Sequence, residues 1–408
     1  MRLSLTVISL SFSLMFGNMS FANQSAENFD SFMKKVLDNS SPIQIKKLEH
    51  EAEEYRAKQT SYFYLPKLSA SGKIKDKGGN TTQLTATSMI YDSALNNRFN
   101  EKNARLKASE LTLTKEKEQL YSSVTNNLIG IHYLSELTGK TNQLNSQAQD
   151  IFKLIDRRYQ SGVAKLSDVE QAKLLMQRIE TEQKNIKMEI EQYKSNIELA
   201  SGIDFPKLGV KLPNALIKKI KSIQINSDST EKNTEYSMLQ MQADALKENA
   251  KQQDALFNVN LIAEERYIDR KKVRNESYFG VELKVNVFDL DRKLSKLSQL
   301  KLYEATKGKA DYKYREITAR IKNLKQISTS NEIELASLQA QLTTMRSIIQ
   351  SQKKEYDISQ SSFYEMVNTL FDMVTIQRRI AELMINDMKN KMEYMQITGD
   401  LIESETLS

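Results

Sequence analysis

The sequence predicts a mainly α-helical protein with a small β part, its helices long coiled-coil rods, on three observations. Proline is confined to Pro42, Pro66, Pro206 and Pro213, so nothing of that kind interrupts a helix afterwards. Apolar residues recur in alternating steps of three and four. The chain also repeats itself at one fixed offset.

Taken in order, the chain opens with Arg2, an apolar stretch from Leu3 to Phe16, and small residues at Ser20-Phe21-Ala22. That pattern predicts a secretory signal over 1–22, cut after Ala22. No later window of 18 residues is free of charge, so no membrane-crossing helix is expected. A chain that lives in a membrane must then do so as a closed β-barrel, where every backbone group is satisfied.

Composition narrows the chemistry. The chain has no cysteine, which excludes disulfides, thiolate metal sites and lipid attachment at a cysteine. Its two histidines, His50 and His132, stand far apart on helical stretches and read as surface residues. No cofactor or metal is expected, and no enzyme, for want of clustered His, Asp and Ser or a glycine-rich phosphate loop. The net charge of +7 is spread among acids, as in Lys115-Glu116-Lys117-Glu118, which marks a solvated helix face rather than a nucleic-acid surface.

Two short segments precede each long helix. In the second half Phe257, Val259, Leu261 and Ala263 alternate with polar residues, as do Phe279, Val281, Leu283, Val285 and Val287. Period-two alternation predicts strands with one apolar and one polar face. A charged tip, Asp269-Arg270-Lys271-Lys272, joins them. Weaker versions occupy 64–75 and 81–91, joined by Lys77-Gly78-Gly79-Asn80. Such strands also suit a half-buried sheet on a soluble protein. Their length and the aromatics Tyr62, Phe63, Tyr64, Tyr267 and Tyr278 at their ends favour a membrane barrel.

The proline-free stretches 93–158 and 290–357 are rich in Lys, Glu, Gln, Leu and Ala and predict helices. Each would run ~100 Å at about 1.5 Å per residue. After the first, Val169, Ala172, Met176, Ile179, Gln183, Ile186, Ile190, Tyr193, Ile197 and Ala200 form a sustained heptad seam.

Tyr91-Asp92 recurs as Phe288-Asp289, Tyr159 as Tyr356 and Gly202 as Gly399, each displaced by 197 residues. The chain therefore reads as two tandem halves, 24–204 and 214–400, with a connector at 205–230 and a tail at 401–408. Four strands cannot close a barrel. Two copies would give eight, filled by side chains, and three would give twelve with room for passage.

These residues resemble the TolC-type outer-membrane efflux and secretion channel family. Tyr64-Leu65-Pro66-Lys67-Leu68 is similar to the approach to that family's first strand. Ile90-Tyr91-Asp92 and Val287-Phe288-Asp289 resemble its step from strand to long helix. Tyr159-Gln160-Ser161-Gly162 with Leu166-Ser167-Asp168-Val169 resembles its helix-to-helix turn, and Gly202 and Gly399 match the closing glycines.

The resemblance implies a homotrimeric α-barrel continuous with a 12-stranded transmembrane β-barrel in outer-membrane lipid. It implies a passive exit duct of a tripartite efflux pump or type I secretion system. Its partners would be a periplasmic adaptor (membrane fusion) protein and an inner-membrane transporter, with no nucleic acid. The turns 159–168 and 356–365 would meet the adaptor, through Tyr159, Gly162, Leu166, Ser359 and Phe363. Asp168 and Tyr356 match the acid and the tyrosine that hold the family's periplasmic entrance closed, Ser361 stands where an arginine is expected, and Glu365 and Asn368 match the two aspartate positions just inside. Helix capping is the alternative role for Asp168 and Glu365. A soluble periplasmic coiled-coil adaptor or structural rod is the alternative function.

Overall fold

A computed structural model describes residues 26–74, 80–226, 232–269, 274–357 and 363–401. The signal segment, the hairpin tips, Ser359, Ser361 and almost all of the tail lie outside those residues.

The elements run β1 (Glu27–Asn28), α1 (Phe29–Asn39), α2 (Ser41–Ser61), β2 (Lys67–Lys73), β3 (Asn80–Asp92), α3 (Leu95–Gln160) and α4 (Leu166–Ser201). They continue with β4 (Val210–Lys211), α5 (Asn214–Ser222), α6 (Thr234–Gln252), β5 (Phe257–Asp269), β6 (Arg274–Val285), α7 (Leu290–Asp357) and α8 (Phe363–Thr398). The two rods α3 and α7 have 66 and 68 residues, so each spans about 100 Å at ~1.5 Å per residue. Among the described residues no helix is long and apolar enough to cross a membrane, which says nothing of a barrel.

Two turns of glycine end the shorter rods in the same way. Gly202 has φ 72° and Gly399 has φ 75°, the left-handed conformation that a Cβ disfavours. At Gly202 the amide donates to the Glu198 carbonyl at 2.8 Å and stops α4. Gly399 is doubly required, since a Cβ there would sit 2.5 Å from the Lys232 carbonyl oxygen.

The heptad seam of α4 packs as expected for most of its length. Val169, Ala172, Ile179, Ile186 and Ile197 are buried, whereas Met176 is half-buried beside a buried Leu175. Each fully buried isoleucine contributes about 1.5–3 kcal/mol through apolar surface removed from water. Gln183, the polar member, donates to the Asn142 side chain of α3 at 2.7 Å, so its position in the seam is satisfied.

Residues 205–230 differ from a plain connector. β4 pairs in parallel with β1, and α5 presses Ile217 and Ile220 into the main core with Phe32, Leu128 and Met388. Two isoleucines three apart give this short helix its own apolar face. Prolines at its entrance marked the turn but hid the helix behind it.

The four long strands form one antiparallel sheet in the order β2-β3-β5-β6. The two hairpins are thus neighbours, joined along β3 and β5, and a bulge lies between Met89 and Tyr91. Residues in register share a face. One such row reads Leu68, Ala86, Ala263, Phe279, and the next Ser88, Leu261, Val281. On the other face the row Ser69, Thr85, Glu264, Tyr278 is polar throughout.

α6 lies between the two rods. Its Glu235 accepts from Lys115 of α3 and pairs with Lys313 of α7, both at 2.9 Å. Glu101 of α3, buried, accepts from Arg105 at 2.6 Å and from Gln252 of α6 at 2.7 Å. Burial pushes its carboxyl up, but the Gln252 and Arg105 hydrogen bonds and the charges of Arg105 and Lys102 outweigh that and hold it below the usual range.

Candidate functional site

Two ends of the molecule carry the candidate functional features. At one end the sheet turns an apolar face outward, with Phe279, Val281, Leu283 and Val285 all exposed and Phe279 75% so. Four large side chains in one strand, every second residue, cannot stay in water without cost. The opposite face carries Asn260, Glu264, Arg266, Tyr278, Glu282 and Lys284, mutually bonded. Asn260 donates to Glu282 at 3.2 Å, Tyr278 donates to Glu264 at 2.9 Å, and Lys284 pairs with Glu282 at 3.2 Å. An apolar outer and polar inner face is the pattern of a strand between lipid and a wet lumen.

At the far end α3 turns into α4. Ser161 caps α3, and Gly162, at φ 77°, donates to the Tyr159 carbonyl at 2.9 Å while Val163 donates to the Arg158 carbonyl at 2.9 Å. A left-handed residue is needed there, which is why glycine follows Ser161. Tyr159, Gly162, Val163 and Leu166 are exposed around the turn. Asp168, half-buried in the first turn of α4, accepts from the Lys165 amide at 3.4 Å and so caps the helix.

The corresponding start of α8 places Glu365 in its first turn, exposed, and Asn368 half-buried one turn on. Tyr356 lies in the last turn of α7. Phe363, expected on a docking surface, is 3% exposed and packs with Ile155, Val169 and Met366 in the cluster that unites α3, α4 and α8. A phenyl ring opening an amphipathic helix gains more by joining that core than by facing water. The structure thus brings Asp168 and Glu365 to one end of the bundle, on elements tied by a shared apolar core.

Above this tip a cluster that sequence reasoning missed ties α8 to α4. Arg378 pairs with Glu182 and Glu189 of α4 and with Glu382 of its own helix at 3.0 Å. Burial pulls the guanidinium down, but the two α4 carboxylates overcome that and raise its pKa further. Next to it, the Arg178 guanidinium lies 5.1 Å from the Phe371 ring centre, across a cavity of about 530 Å³ lined also by Leu174 and Thr181. Glu182 and Glu189 are seven residues apart, hence on one helix face, which was the available signal. On the other side of α8, Arg379 donates to Glu334 of α7 at 2.7 Å and Arg320 of α7 donates to Glu393 at 2.5 Å.

Long rods joined to a four-stranded sheet with one apolar and one polar face define the class of this fold. Residues 32–203 match the profile of the family described as outer membrane efflux protein. The whole chain is folded like solved channels of that kind. CusC superposes with a TM-score of 0.75 at 13% identity, covering 90% of this chain and 91% of its own. VceC of Vibrio cholerae gives 0.72 at 13% identity, covering 91% and 95%. The CmeC outer membrane channel of Campylobacter jejuni gives 0.68 at 14% identity, covering 98% and 94%. No curated protein matches the chain by sequence. Residues 32–203 thus carry the family match, and the chain as a whole shares the fold of those solved channels.

Proposed function

We propose that three copies close into a 12-stranded barrel over an α-helical tunnel, forming the passive exit duct of a tripartite efflux pump or type I secretion system. The observation that carries this is the four-stranded sheet with an exposed apolar face at the end of two ~100 Å rods (about 1.5 Å per residue). Four strands are half of the smallest membrane barrel, so the sheet needs further copies of itself. The same face disfavours a soluble adaptor or rod, which would have to keep Phe279, Val281, Leu283 and Val285 in water.

In this reading the signal over 1–22 is removed, and halves 24–204 and 214–400 contribute one strand pair and one helical hairpin each. The duct carries out no chemistry and supplies no energy. Cargo choice and driving force come from an inner-membrane transporter, reached through a periplasmic adaptor at the tip turns. Tyr159, Gly162 and Leu166 offer the exposed docking surface there. Asp168, Tyr356, Glu365 and Asn368 line the entrance. Three copies of Glu365 around an axis would attract cations and raise one another's pKa values.

Membrane fractionation followed by sizing in detergent tests the assembly. A heat-sensitive trimer confined to the outer membrane is expected, and a detergent-independent periplasmic protein would sink the reading. In planar bilayers Glu365→Ala is expected to lower cation over anion permeability several-fold. Unchanged selectivity would remove Glu365 from the entrance.

A further inference from the structure

We propose that where β6 of one copy meets β2 of the next, the two strands take the register that β3 and β5 hold within the chain, so that Glu282 faces the next copy's Lys73. The inference rests on the assembled duct and adds to it the register of the seam and the ion pair that fixes it.

The chain contains its own template for this contact. α4 and α8 correspond residue for residue, Leu166 with Phe363 and Ser201 with Thr398, both displaced by 197. β3 falls on β6 at that same displacement. β2 falls on β5 at 191, because Lys67 faces Thr87 as Asn258 faces Lys284, and Lys73 faces Thr81 as Glu264 faces Tyr278. The preceding helices keep the 191 spacing, α2 ending at Ser61 and α6 at Gln252. The join between β3 and β5 is therefore the internal copy of a join between β6 and β2. Among the described residues only β2 and β6 lack a second neighbour in this sheet.

Carrying the register across gives definite partners. Thr85 opposite Glu264 becomes Glu282 opposite Lys73, and Thr87 opposite Ile262 becomes Lys284 opposite Ser71. With the bulge of β3 repeated at Val287, Asp92 opposite Asn258 becomes Asp289 opposite Lys67. Two acids thus meet two lysines, although neither acid has a lysine directly opposite it in its own sheet. Glu282 and Lys73 share the polar face, and opposite charges directly across a pair of strands stabilise it. A slip of one residue would turn polar residues onto the apolar side, and a slip of two would set Glu282 against Ser71.

The helices agree. Within the chain Asn97 and Lys115 of α3 hold α6, through Gln252 and Glu235. Their counterparts on α7 are Leu294 and Tyr312, both exposed. The element that corresponds to α6 is α2, so the next copy's α2 covers them.

The absence of native cysteine makes the register measurable. Residues directly opposite have Cβ atoms about 4.5–5.5 Å apart, close enough for a disulfide after small adjustment. The variant Lys73→Cys with Glu282→Cys, mildly oxidised in outer membranes, is expected to run as covalent dimer and trimer that reductant dissolves. Ser71→Cys with Glu282→Cys is expected to cross-link at least several-fold less. Preferential cross-linking of the second pair would overturn the register. A trimer on sizing with no cross-link from either pair would overturn the seam and leave the duct standing. A monomer on sizing, with the native chain as reference, would take both down. The charges are read separately: K73E and E282K each lower the trimer's dissociation temperature, and the double swap restores it. Failure of the swap to restore it overturns the ion pair.

Discussion

α3 and α7 are the same element of two related halves, yet one lies within the molecule and the other along its margin. α3 buries Leu128, Ile129, Leu134 and Leu137 against α1, α5 and α8. The residues 197 further on in α7 are Lys325, Gln326, Asn331 and Glu334. What α7 keeps is a narrow stripe, Ala310, Ile317, Ile321 and Leu324, facing α6 and α8. Those four correspond to Leu113, Leu120, Val124 and Asn127 of α3. Duplication preserved the shared contact, while the second face diverged: apolar in α3, where the chain folds back on it, and polar or charged in α7, where Glu334 pairs with Arg379 of α8.

Paired substitutions at corresponding positions sharpen that contrast. The largest effect is expected at Leu128, 2% exposed, where truncation to alanine should cost about 2–5 kcal/mol through lost burial and a cavity. Its counterpart Lys325→Ala should stay within about 0.5 kcal/mol. Urea unfolding of detergent-extracted protein measures both, and equal costs would break the comparison.

Next comes the bond between halves. Arg378→Met strands Glu182, Glu189 and Glu382 without their shared cation and should cost about 1–2 kcal/mol, discounted for partial exposure. Thr181→Met at the corresponding exposed position of α4 should be neutral. If Arg378→Met also raises the channel's leak conductance in bilayers, the tie restrains the entrance. An unchanged leak limits it to stability.

The smallest effect lies at Glu118, a buried carboxyl of α3 whose recorded partner is the Thr234 hydroxyl at 2.9 Å. Burial raises its pKa above the ordinary value, and the Thr234 hydrogen bond offsets only part of that. The folded state therefore binds its proton more tightly than the unfolded state. Stability from this group is fullest below the ordinary carboxylate range and falls as pH rises through it to the folded pKa. Glu118→Gln should remove that fall and stabilise the protein at neutral pH by about 1 kcal/mol. Arg315→Gln, its exposed counterpart, should leave the pH profile unchanged. A Glu118→Gln protein with the native profile would show that the carboxyl is not the source.

Much of the fold was legible because the signals were local and periodic. Absent prolines and good helix formers set the rods, alternation set the strands, and Gly202 and Gly399 marked turns that only a residue without a Cβ takes easily. Less of the site was legible. Asp168 and Glu365 were placed at helix starts by the resemblance of the first turn and the 197-residue repeat, and both lie in a first turn. Their convergence at one end depends on the core shared by α3, α4 and α8. Phe363 was assigned to the docking surface by resemblance to the family's turn, but the packing of that core draws the ring inward. α5 escaped notice since two isoleucines in a short segment give a weak period.

The sequence by itself determined the length and type of the elements, the duplication and which strand faces are apolar, because each depends on residues near one another along the chain. Only the tertiary structure decided that β3 meets β5, that α6 bridges the rods, and that Arg378 gathers two glutamates from another helix. Those contacts join residues far apart in the chain, from Glu235 and Lys313 at the near end to Glu182 and Arg378 at the far end, and no local propensity carries the distance between them.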